Sequence, residues 1–233
     1  MELSGQDSIL EIGPGRGELT RLLTKEAKFV YAVEVDRELS NSLKEEFAQN
    51  PKIKIIHRDI LRFALDKELP VAKLKVFGNI PYYITTPIIE HLLKYRRVIQ
   101  DIFITVQKEF GERLSASPGS KAYGSFSCFL QYYCSPKVLF NIRKNSFWPA
   151  PKVDSCFLKL TLRKNPAVKV KDPDALFALI RQAFSQRRKT LRNSLQGTIA
   201  EERLEGYFKR YNIDRNIRPE SLGLEDFTRL LNS

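Results

Sequence analysis

Ser8-Ile9-Leu10-Glu11-Ile12-Gly13-Pro14-Gly15-Arg16-Gly17 sets a short apolar run directly against three glycines at alternate positions. The run reads as a strand, and glycines behind it let the backbone turn and approach a ligand without a Cβ clash. Residues 17–25 carry helical periodicity, so the stretch is a strand, a glycine turn and a helix. The spacing, Gly-x-Gly-x-Gly, is one residue shorter than the dinucleotide fingerprint Gly-x-Gly-x-x-Gly. No Gly-x-x-x-x-Gly-Lys-Ser/Thr occurs, which excludes a triphosphate P-loop. By itself the spacing fits any nucleotide site of this strand–turn–helix kind.

Outward from this turn, the same alternation continues. Residues 29–34, 53–57, 74–78 and 102–106 read as further strands, and residues 37–48 and 84–94 as helices. Strands alternating with helices predict βαβ units and a parallel sheet, an α/β Rossmann-like fold. Residues 115–124 form a loop rich in Ser, Gly and Pro. Residues 137–142 and 156–162 alternate apolar and polar side chains as half-buried strands do, and predict an antiparallel edge. Between them, Phe147-Trp148-Pro149-Ala150-Pro151 cannot lie inside a helix. Residues 165–173 read as a linker and 174–233 as three or four short helices. The expected division is a Rossmann-like domain over 1–164 and a small all-α domain over 165–233.

The bulk composition of these 233 residues is that of a globular protein, with 42% hydrophobic and 28% charged residues. No apolar run is long enough to span a membrane, and the first residues lack the pattern of a secretory signal. The three cysteines, Cys128, Cys134 and Cys156, are odd in number and never spaced Cys-x-x-Cys. A reduced, cytoplasmic setting is expected, with no structural or catalytic thiol. With only His57 and His91 to join them, no metal site is expected. Net charge is +12, and it is segregated. Residues 1–80 hold 13 Lys/Arg and 13 Asp/Glu, so the whole excess lies in residues 81–233. Clustered basic residues favour a polyanion, with nucleic acid ahead of a membrane surface, because binding releases condensed counterions.

Two carboxylates mark the cofactor crevice, which in such sheets lies beyond the carboxyl ends of the strands. Glu34 closes the second strand, where a carboxylate accepts from both ribose hydroxyls. Asp59 follows the third strand, where it would accept from an adenine amino group; a helix cap or a solvated charge is the alternative for each. An adenosine-containing cofactor follows. At the end of the fourth strand stands Asn79-Ile80-Pro81-Tyr82-Tyr83. An adenine amine is a poor nucleophile because its lone pair is delocalised into the ring. The Asn79 oxygen and a backbone carbonyl would hold its two hydrogens and leave the lone pair aimed at an electrophilic methyl. Tyr82 offers a face for stacking the base. Rate would come from in-line placement rather than from a dedicated base.

With these motifs the chain resembles the ribosomal RNA adenine N6,N6-dimethyltransferases of the KsgA type. Three further stretches carry the likeness: Pro118-Gly119-Ser120-Lys121-Ala122-Tyr123-Gly124, Phe147-Trp148-Pro149-Ala150-Pro151-Lys152-Val153-Asp154-Ser155, and residues 183–193, which contain Gln186-Arg187-Arg188-Lys189-Thr190-Leu191-Arg192. The resemblance implies a class I methyltransferase fold using S-adenosylmethionine. It places Glu11, Gly13, Gly15, Gly17, Glu34, Asp59 and Asn79 at the cofactor, and Asn79, Pro81, Tyr82 and Phe147 at the chemistry. Phe147 would cover the face of the adenine opposite Tyr82, with a core aromatic as the alternative. Arg187, Arg188, Lys189 and Arg192 would contact RNA phosphates, with a solvated helix face as the alternative. The implied substrate is a pair of adjacent adenosines near the 3′ end of small-subunit rRNA in a partly assembled, pre-30S-type particle, recognised as shaped RNA. A monomer without metal or membrane partner is expected.

Family members carry a segment before the first strand, with a Gln-x-Phe-Leu motif that closes over the methionine end of the cofactor. This chain starts a few residues before that strand and reads as N-terminally shortened, with weakened cofactor binding as the expectation. Three alternatives compete. Large-subunit adenine methyltransferases of the macrolide-resistance type share the Asn-x-Pro-Tyr/Phe chemistry. A non-catalytic RNA-binding assembly factor would use the same scaffold. A small-molecule methyltransferase would not need the basic C-terminal region.

Overall fold

The apolar runs of the first hundred residues become strands because helices cover both faces of the sheet they form, so side chains on both faces are buried. The computed structural model describes residues 3–186 and 188–233. In chain order, β1 (Ser8–Ile12), α1 (Glu18–Glu26), β2 (Phe29–Glu34), α2 (Arg37–Glu46) and β3 (Ile53–His57) come first. There follow α3 (Leu65–Glu68), β4 (Leu74–Gly78), α4 (Thr85–Lys94), β5 (Ile99–Gln107), α5 (Lys108–Ser115) and α6 (Ser125–Tyr133). Then come β6 (Cys134–Ile142), β7 (Ser155–Leu162), α7 (Pro173–Ala183), α8 (Leu191–Leu195), α9 (Glu201–Tyr211) and α10 (Leu224–Asn232).

The strands form one sheet in the order β3-β2-β1-β4-β5-β7-β6. Strands β1 to β5 pair in parallel with one another, and β7 runs antiparallel to β5. The antiparallel edge anticipated from residues 156–162 is therefore present. Strand order reverses between β1 and β4, where crossovers leave on opposite sides and open a crevice at the carboxyl ends. Ile9, Val30, Phe77 and Phe103 pack with Leu23 and Ala27 of the α1 region into one core cluster. Helix α2 starts at Asp36, whose carboxylate accepts from Leu39 N–H at 3.0 Å.

The chain divides into two compact units: residues 1–111 with 137–162, and residues 112–136 with 163–233. This differs from the linear division at 164/165, because residues 112–136 belong with the C-terminal helices. The physical reason is aromatic packing. Phe129 and Tyr132 of α6 set their rings 5.0 and 5.2 Å from Phe177 of α7. Around them lie Leu176, Ile180, Leu191, Leu204, Tyr207 and Phe227, all buried. Among the described residues no helix is long and apolar enough to cross a membrane.

Candidate active site

Parallel register places the principal residues level with one another. Ile12 is opposite Val33 on one side and Gly78 on the other. Gly13, Glu34 and Asn79 are therefore the next residues on three adjacent strands, at the rim where the crevice opens. With strands roughly 4.8 Å apart, Glu34 and Asn79 flank the glycine turn across about 10 Å, the scale of a nucleoside.

The turn itself depends on its glycines. Gly13, Gly15 and Gly17 have φ of +65°, +59° and +78°, a left-handed region where a Cβ is strained. A Cβ at Gly13 or Gly15 would meet nothing within 4 Å, so the space before the loop is open to a ligand. At Gly17 a Cβ would stand 2.8 Å from Leu43 Cδ2, so that glycine also lets α1 start close against α2.

Glu34 is 5% exposed, and its two oxygens are held from the backbone. Oε2 accepts from Gly15 N–H at 3.1 Å and Oε1 from Asp36 N–H at 3.0 Å. A carboxylate has about four lone-pair sites, so two remain for ribose hydroxyls. The carboxylate thus orders the glycine turn and stays competent as an acceptor. Glu11 is 2% exposed, inside β1, with Oε2 buried and without a hydrogen-bond partner among the described residues. Burial pushes its carboxyl up to about 7, and the neighbouring Glu34 charge adds to the rise. Asp59 caps a short 3-10 turn, Oδ1 accepting from Leu61 N–H at 2.9 Å, while Oδ2 lies 3.9 Å from the exposed Arg62. The cap occupies Oδ1 and leaves Oδ2 facing Arg62.

Asn79 is exposed at the end of β4, and no described group claims its amide. Pro81 precedes a 3-10 turn, Tyr82–Ile84, which presents two tyrosines. The Tyr82 hydroxyl shares a 2.5 Å hydrogen bond with the buried Ser155 hydroxyl, fixing the ring. Ser155 starts β7 opposite Gln107 at the end of β5, so it too stands at the strand-end rim. Phe147 is half-buried in the connection between β6 and β7. Sequence reading gave Ser155 no role. It stood within the quoted 147–155 stretch, but only antiparallel pairing brings it beside Tyr82.

Residues 1–233 match the family described as Ribosomal RNA adenine dimethylase. The chain belongs to that family. A relative from Clostridium botulinum, Ribosomal RNA small subunit methyltransferase A, is 41% identical over 98% of this chain and 84% of its own length. The crystal structure of a dimethyladenosine transferase from Plasmodium falciparum superposes with a TM-score of 0.80 at 25% identity, over 99% of this chain and 90% of that one. The 23S rRNA methyltransferase ErmE gives 0.78 at 25% identity, over 99% and 92%.

Away from the rim, the remaining sequence-derived candidates of this dimethylase-family chain fall as follows. Arg188 and Lys189 are exposed between α7 and α8, and Arg187 lies outside the described residues. Arg192 pairs with Glu201 and stands 3.9 Å from Glu205, which also binds Arg215 at 2.6 Å. Its guanidinium therefore ties α8 to α9. All three cysteines are buried, and burial pushes the Cys128 and Cys134 thiols up to about 11 and 12, far from thiolate chemistry at neutral pH. His57 and His91 each donate a ring N–H to a backbone carbonyl, of Val35 and Phe63. Among the described residues no three His, Cys, Asp or Glu converge as metal ligands do.

Proposed function

We propose that this chain is an S-adenosylmethionine-dependent rRNA adenine N6,N6-dimethyltransferase that modifies two adjacent adenosines near the 3′ end of small-subunit rRNA. It acts as a single copy on a partly assembled, pre-30S-type particle. The observation that carries this reading is the level placement of Gly13, Glu34 and Asn79 on adjacent strands at the reversal of strand order. Within it, Glu34 meets ribose hydroxyls, the left-handed turn 13–17 leaves space for the methionine portion, and Asp59 receives the adenine amino group. Glu11 adds a buried carboxyl to this cofactor site from within β1. The open space at Gly13 and Gly15 and the free lone pairs of Glu34 fit such a cofactor.

Bound S-adenosylmethionine supplies an electrophilic methyl group. Asn79 and a backbone carbonyl accept the hydrogens of the adenine amine and turn its lone pair outward. Pro81 fixes the start of the 3-10 turn. Tyr82, held by Ser155, stacks on the target base, and Phe147 covers the other face. Arg187, Arg188 and Lys189 contact phosphates, whereas Arg192 is held by Glu201.

Small-subunit specificity is favoured over the large-subunit alternative by the named relatives and by residues 147–155 and 186–193. The fold alone does not separate them, since ErmE and the dimethyladenosine transferase match about equally well. The test supplies purified chain with radiolabelled S-adenosylmethionine and small subunits lacking the modification, with large subunits in parallel. Dimethyladenosine in small-subunit RNA is the expected product. Label confined to large subunits would move the chain to the other group. Asn79→Ala is expected to lower transfer at least about a hundredfold while sparing RNA binding, which separates enzyme from assembly factor.

A further inference from the structure

Residues 143–154, between β6 and β7, project from the rim that carries Asn79 and Tyr82. Strand β7 runs against β5, and its first residue, Ser155, lies opposite the last residue of β5. The segment therefore enters the sheet at the end where the parallel strands finish. It is also tied down there: Asp154 Oδ1 accepts from Lys144 N–H, and the Asp154 carbonyl from Lys108 N–H, both at 3.0 Å. Pro149 and Pro151 fix their own φ and stiffen the tip.

At that tip Trp148 is 98% exposed, with Tyr83 at 86% beside Tyr82. Residues 137–153 contain Lys137, Arg143, Lys144 and Lys152 and no acidic residue. All four are exposed, and none forms an ion pair among the described residues. A flat aromatic left open to solvent among unpaired cations is the arrangement that binds unstacked nucleic acid, with the ring taking a base and the cations its phosphates.

We propose that Trp148 stacks on the nucleobase next to the target adenosine, while Arg143, Lys144 and Lys152 neutralise the flanking phosphates. The site takes single-stranded RNA and holds the strand in register so that its neighbour enters between Tyr82 and Phe147. This rests on the methyltransferase reading of the rim. Trp148 is a positioning residue; it touches neither cofactor nor reacting amine.

The chain has one tryptophan, so indole emission reports Trp148 alone. The full chain is titrated with a short single-stranded RNA bearing adjacent adenosines and with a blunt RNA duplex of equal length. Filter retention of labelled RNA is measured in parallel. The proposal expects quenching that tracks single-strand saturation and is absent with duplex. It also expects about tenfold weaker retention by Trp148→Ala and near-parental retention by Trp148→Phe. Retention without quenching, or equal retention by Trp148→Ala, overturns it. If the parent does not retain the short RNA, KM for unmodified small subunits decides: raised in Trp148→Ala at constant kcat supports stacking, and unchanged overturns it. Methyl transfer by the parent alongside an overturning result leaves the functional reading intact. Quenching without methyl transfer to any subunit removes that reading and keeps the stacking site, and neither retention nor transfer overturns both.

Discussion

Glu11 brings a buried carboxyl to within one residue of the glycine turn, and its cost depends on pH. Its folded value of about 7 lies above the ordinary 4.5, so the folded chain binds the proton more tightly than the unfolded one. Stability is then highest while both forms are protonated and falls as pH rises from about 4.5 to about 7, by roughly 3 kcal/mol across the window. Glu11→Gln removes this titration. Thermal melts should show the variant more stable than the parent at pH 8 by roughly 2–3 kcal/mol and equal to it near pH 5. Equal differences at both values would show that Glu11 ionises freely. Glu34 and Asn79 were readable at this scale because each directly follows an apolar run, and strand ends face the crevice. Asp59 was readable as either cap or ligand, and the cap is occupied. Ser155 was not readable, since its meaning depends on a pairing partner 73 residues away.

Helix α5 contains Gly111, a residue that weakens a helix by about 1 kcal/mol relative to alanine. Its reason lies in packing: a Cβ there would overlap Cys156 Sγ, which is fully buried in β7. The helix can approach the strand only without that carbon. Gly111→Ala should destabilise the chain by about 1–3 kcal/mol despite its better propensity. Adding Cys156→Ala should restore part of the loss, because the two positions share one contact. Urea midpoints of the two single variants and the double variant check both statements; additive single effects would refute the shared contact. Strands β1 to β4 were legible from apolar runs bounded by turns. Helix α6 was not. Ser125-Phe126-Ser127-Cys128-Phe129-Leu130-Gln131-Tyr132-Tyr133 has no polar face because much of its circumference is buried, so no 3.6-residue alternation is visible.

The charge of the whole molecule is the property that a sequence declares most directly, while its location on the surface takes a fold to define. Arg188, Lys189 and Arg192 are all exposed, but Arg192 alone of the three is paired among the described residues, with Glu201. Replacing Arg188 and Lys189 by alanine should therefore reduce the salt dependence of RNA affinity by about two units of log–log slope, measured between about 50 and 200 mM salt. Arg192→Ala should leave that slope unchanged and cost less than about 1 kcal/mol in melting experiments. A lowered slope for Arg192→Ala would return it to the phosphate contacts. The linear order of domains was the least legible feature, because the packing of α6 on α7 is long-range and aromatic rather than periodic. The chain passes from one compact unit to the other at 111/112, 136/137 and 162/163. A growing polypeptide therefore meets an ordering problem: the sheet lacks its last strand until residue 162 has emerged, while the rings of Phe129 and Tyr132 in α6, made earlier, have no Phe177 to pack on until α7 follows. Its aromatic face must wait uncovered through that interval, which makes synthesis, rather than the finished protein, the stage most exposed to aggregation. A fragment ending at 164 would be fixed permanently in that condition.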